Sequence, residues 1–151
     1  MPVMGPLPEA TYIRGIRPFY MKISSLVSDI EQLIRSGRFH QLLDMARDEK
    51  DFNRLLASSV GGDANTMING VEADVLRGTE ALEVKIKPER FFYGFCQAVA
   101  LEEVAGIGSA SLLHIVDALD EEYLSRVTAM GGRLGIRLII YSLMDKNCVI
   151  I

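Results

Sequence analysis

The chain has 151 residues, 49% of them hydrophobic and 24% charged, with a formal net charge of −4. That length buries one core without metal or disulfide support, and the composition excludes a disordered chain. The acidic balance disfavours a general nucleic-acid binder, which carries a basic face, and Cys96 and Cys148, far apart and outside any CxxC motif, point to reduced thiols and a cytoplasmic location.

Residues 1–10, MPVMGPLPEA, lack the basic-then-apolar pattern of a secretory signal and read as a flexible arm, with 11–151 as one domain. Arg14, Arg17 and Lys22 follow with Tyr12, Phe19 and Tyr20 interleaved, a surface for nucleic acid or an acidic partner, or simply a solvated face. Ile23, Leu26, Val27, Ile30, Leu33 and Ile34 fall on one helical stripe that Ser36-Gly37 closes. Phe39, Leu42, Leu43 and Ala46, then Phe52, Leu55 and Leu56, predict two helices or one irregular helix around the charged block Arg47 to Asp51. A loop spans Ser58 to Asp63, and Ala64 to Leu76 is expected to be helical despite Gly70.

The period then changes. Leu82, Val84 and Ile86 alternate with Glu83, Lys85 and Lys87, the pattern of a half-buried strand with one wet face. Pro88 suits a first helical turn, and Phe91, Phe92, Phe95, Cys96, Val99 and Val104 give that helix its apolar content, with Cys96 expected to be an inert core thiol. A second helix is predicted over Ala110 to Leu119. Asp120 caps another, which Gly131-Gly132 ends. Residues 136–143 and 147–151 read as strands about a turn at Asp145 to Asn147. The expected fold is a helix-rich single α+β domain, with about six helices and a small, mostly antiparallel sheet of segments 81–87, 136–143 and 147–151.

Leu101, Val104, Gly106, Ile107 and Gly108, within LEEVAGIGSASLLHIVDAL, resemble the helix–hairpin–helix motif. The resemblance implies a turn that brings the amides of Gly106, Ile107, Gly108 and Ser109 close to a nucleic-acid phosphate or another anion, with Arg14 and Arg17 as supporting cations. Six acids against one base, Arg126, between Cys96 and Met130 instead favour the bend as a packing device.

His114 and Asp117 share a face of the predicted helix and form a candidate ligand or general-base pair, or a solvated ion pair. No third ligand stands at local spacing, so no metal is expected. His40 and Asp44 read as a surface pair. Cys148-Val149-Ile150-Ile151 has the form of a prenylation box and equally of a buried strand, so membrane association is expected only if Cys148 is lipidated. No nucleophile elbow, Walker loop or dinucleotide fingerprint occurs, and no cofactor is expected. The leading expectation is a non-enzymatic interaction or regulatory subunit that meets a protein partner, or a second copy as a homodimer, through helical surfaces. The alternatives are a nucleic-acid-associated protein using the 106–108 bend, and a small-ligand-binding protein or enzyme around His114.

Overall fold

The computed structural model describes residues 25–87 and 91–151. Three helices come first: α1 (Leu26–Arg35), α2 (Arg38–Met45) and α3 (Glu49–Val60). The Ser25 hydroxyl accepts the Ser28 N–H to start α1, and Leu26, Val27, Ile30 and Ile34 form its buried stripe. Gly37, at φ +82°, separates α1 from α2. The Asp48 carboxylate accepts the Asp51 N–H, so the charged block divides two helices.

The sheet runs in sequence order across six strands: β1 (Asp63–Ile68), β2 (Val71–Arg77), β3 (Glu80–Ile86), β4 (Ser109–Val116), β5 (Arg137–Ser142) and β6 (Asn147–Ile150). Helix α4 (Phe91–Glu103) links β3 to β4, and α5 (Glu121–Leu134) links β4 to β5. Those two crossovers make β3, β4 and β5 parallel, while the other three pairings are antiparallel. The α+β domain has one core between α1–α3 and the sheet, including Ile30, Phe39, Leu56, Val84, Ile115 and Tyr141. A second lies beneath α4 and α5, with Phe95, Leu101, Leu112, Val127 and Ile140.

Several expectations are corrected. Residues 64–76 form no helix; they make the β1–β2 hairpin, closed by Asn69 at φ +49° and Gly70 at φ +84°. Positive φ at both central residues defines the type I′ turn that Asn-Gly favours. Residues 109–116 are strand β4 where a second helix was expected. Leu113 and Ile115 enter one core while Ala110 and Leu112 enter the other, and a strand covered on both faces shows no alternation to separate it from a helix. The described residues therefore hold five helices, and the centre of the sheet is parallel. Helix α5 runs through Gly131 to Leu134 before Gly135, at φ +69°, ends it. A Cβ at Gly131 would stand 3.1 Å from the Ile136 carbonyl oxygen and 3.8 Å from the Phe95 ring, so that glycine serves packing. The strands expected at 81–87, 136–143 and 147–151 are present.

Candidate functional site

Strands β2 and β3 pair through Arg77↔Glu80, Leu76↔Ala81 and Val75↔Leu82, and their ladder stops there although both strands continue. Asp74 comes next on β2. Its carboxylate Oδ2 accepts the Val84 N–H at 2.7 Å, taking a donor that a ladder carbonyl would otherwise hold. On the other side of β2 the ladder with β1 skips the step between Ala64↔Val75 and Thr66↔Ala73, where Asn65 adopts φ +51°. The sheet is thus interrupted at Asp74 on both flanks, beside the middle of β3.

Glu83 lies beside that interruption, where its carboxyl accepts a backbone N–H from Asp74. It is 1% exposed, and its Oε1 has no hydrogen-bond partner. Burial, followed by the nearby Asp74 charge, pushes its carboxyl up to about 9, with Lys85 opposing. Asp74 is also raised by burial, against the Val84 amide and Lys85, which both favour its charged form. Lys85 stands two residues along β3 and shares the face of Glu83. Its stem runs against α4: a Cβ added at Gly94 would lie 3.0 Å from Lys85 Cγ and 2.5 Å from Leu112 Cδ1. At the margin, Lys50 Nζ of α3 reaches the Glu72 carboxylate at 2.8 Å.

Asp74, Glu83 and Lys85 were missed as a set. The alternation of β3 placed Glu83 and Lys85 on a wet face, yet α4 covers that face and buries Glu83. Asp74 sat inside a segment read as helix. The dipeptide Asn69-Gly70 was the signal that would have made the segment a hairpin and set Asp74 beside β3.

The predicted site residues fall elsewhere. Gly106 has φ +77°, the Ile107 N–H donates to the Leu101 carbonyl at 2.9 Å, and the Ser109 N–H donates to the Thr79 carbonyl at 3.1 Å. A Cβ at Gly108 would meet that same Thr79 oxygen at 3.3 Å. The bend therefore docks the end of α4 on the β2–β3 turn, and the chain leaves it as strand β4, with no helix N-terminus to face an anion. His114, 4% exposed on β4, engages the Tyr123 hydroxyl through Nδ1, and Lys85 is its register partner on β3. Asp117 is exposed and pairs with Lys87, so His114 and Asp117 are not brought together. Arg14 and Arg17 lie outside the described residues.

His40 is more than a surface partner of Asp44, because its Nδ1 lies 2.7 Å from the buried Tyr141 hydroxyl. Cys96, expected in the core, is exposed, on an apolar cleft with Phe92, Met130 and Leu134. Cys148 lies half-buried in β6, its thiol pushed up by burial, and Ile151 exchanges backbone hydrogen bonds of 2.9 and 3.1 Å with Leu138. Among the described residues no helix is long and apolar enough to cross a membrane.

No family model and no curated protein sequence matches the chain. Among solved structures, the chain is similar to an XisH family protein from Nostoc punctiforme PCC 73102, at 18% identity and a TM-score of 0.39, over 74% of this chain and 95% of that one.

Proposed function

We propose that the chain is a divalent-cation-dependent phosphodiester hydrolase acting on nucleic acid, with its centre at Asp74, Glu83 and Lys85. One observation carries the reading: a buried carboxyl, Glu83, whose Oε1 has no partner, placed beside a second carboxylate. Ionised, a carboxyl buried there with only the Asp74 backbone N–H to serve it is costly unless a cation compensates it. Two oxygen donors fit Mg²⁺ or Mn²⁺, which retain water and take substrate phosphate to complete their shell. Among the described residues no group of three or more His, Cys, Asp or Glu could hold a metal ion, so the cation would rest on two carboxylates and take the rest of its shell from water and substrate.

In this reading Asp74 and Glu83 hold the cation, and the Val84 amide fixes the Asp74 carboxylate in place. When bound, the cation polarises the phosphoryl group and lowers the pKa of an attacking water. Lys85 supplies a point positive charge for a phosphate oxygen, in a water-poor site where that charge acts strongly. Gly94, with no Cβ, leaves room for the lysine stem and Leu112 to pack against α4. The nucleic-acid expectation is thereby moved from the 106–108 bend to the sheet interruption.

The test is incubation of supercoiled plasmid, linear duplex and single-stranded oligonucleotides with the natural chain and with D74N, E83Q and K85M, in Mg²⁺ or Mn²⁺. Cleavage by the natural chain that all three variants lose supports the reading. No cleavage of any substrate at millimolar metal, or equal cleavage by the variants, overturns it. The second reading is an interaction subunit, favoured by the apolar cleft of Phe91, Phe92, Phe95, Cys96, Met130 and Leu134 between α4 and α5.

A further inference from the structure

On the opposite face of the sheet, a cavity of about 460 Å³ opens between α2, α3 and the carboxyl ends of the parallel strands. Its size falls within the range of sites that enclose small organic ligands. Its position obeys the rule that open parallel sheets bind ligands outside the carboxyl ends of their strands. Leu43, Ile86 and Leu143, all partly exposed, supply apolar lining above the fully buried Phe52 and Ile115.

The charges on the rim decide the kind of ligand. Both cations there are committed to acids: Arg47 to Asp51 at 3.4 Å, and Lys87 to Asp117. Three acids, Asp44, Asp48 and Glu49, also line the opening. Asp48 is occupied as the cap of α3. Asp44 meets only a long contact, 3.8 Å, from Nε2 of His40. His40 is itself held by the Tyr141 hydroxyl at 2.7 Å, which fixes the ring against the cavity wall. Asp44 is thus the rim acid that no close cation neutralises, above an apolar floor.

We propose that this cavity binds an organic cation, a protonated amine carried on a flat apolar body, with its ammonium on Asp44 and its body against Leu43, Ile86 and Leu143. The site is separate from the Asp74–Glu83 pair, because Ile86 faces α2 and α3 whereas Lys85 faces α4.

The experiment uses the full chain with methyl-labelled isoleucine and leucine, titrated with three probes sharing one ring: tryptamine, tryptophol and indole-3-propionate. Tryptamine is expected to shift the Ile86, Ile115 and Leu143 methyls and to bind about threefold more tightly than tryptophol, as an exposed ion pair gives, with indole-3-propionate the weakest. Asp44→Asn should reduce tryptamine to the tryptophol level, and the 74% exposure of the Asp44 side chain makes that variant safe for folding. Equal affinity of tryptamine and indole-3-propionate overturns the proposal, as do tryptamine shifts that map elsewhere. So does an absence of binding by all three probes at about 10 mM.

Discussion

Replacing Glu83 by Gln should make the protein more stable, by an amount that depends on pH. The folded-state carboxyl is pushed up to about 9, from an ordinary value of 4.5. Between those two pH values the folded chain keeps a proton that the unfolded chain has lost, so stability falls as pH rises. Each pH unit corresponds to about 1.4 kcal/mol, and by pH 7 the loss reaches about 3 kcal/mol. Gln has nearly the same shape and does not titrate, so E83Q escapes that loss. The variant should melt about 6–12 °C above the natural chain at pH 7, given the usual conversion for a chain of this size. At pH 4.5 the gap should close. Chemical denaturation at pH 4.5, 7 and 8.5 checks this directly. A difference of constant size at all three pH values would refute the reasoning, and so would a variant less stable than the natural chain at pH 8.5. Mg²⁺ should reverse the order: it should raise the stability of the natural chain at pH 8.5 and leave E83Q unmoved.

Metal binding should release about one proton near pH 7, because the Glu83 carboxyl must ionise to ligate; calorimetry in two buffers of different ionisation enthalpy measures it, and affinity should rise up to pH 9. Gly94→Ala should cost about 1–3 kcal/mol through overpacking and lower kcat more than metal affinity, since its new Cβ meets Leu112 Cδ1 at 2.5 Å and the Lys85 stem at 3.0 Å. Gly70→Val should destabilise the chain by about 1–2 kcal/mol, because Gly70 holds φ +84° with open space around it; denaturant midpoints will show it.

Amphipathic stripes were the most legible part of the sequence. Leu26 to Ile34 wet one side and bury the other, so their period survives in the chain as written. The alternation of 82–86 likewise marked β3, and the apolar runs near the C-terminus marked β5 and β6. Strand β4 was illegible for a physical reason: with cores on both sides, Leu112 and Leu113 are equally buried and no polar face records the period. The hairpin at 63–77 was legible in principle, since Asn69-Gly70 is a strong turn signal, but the weakly patterned segment around it was read as a helix. The candidate site inherited that error. Glu83 and Lys85 stood in view on a strand, while their partner Asp74 was assigned to a helix that does not exist.

The misjudged wet face of β3 also argues about function. A strand covered by helices on both faces would hold an apolar residue at position 83 with no loss to the fold. The chain instead holds a carboxyl there, with an oxygen that finds no donor, beside a carboxylate that raises its cost. Packing does not explain that choice, since the residue lowers stability across the whole neutral range. Nor does a folding role for Lys85, which opposes the cost without removing it. On the proposed reading a cation held by Glu83 and Asp74, at the break in the β2 ladder, would offset that cost.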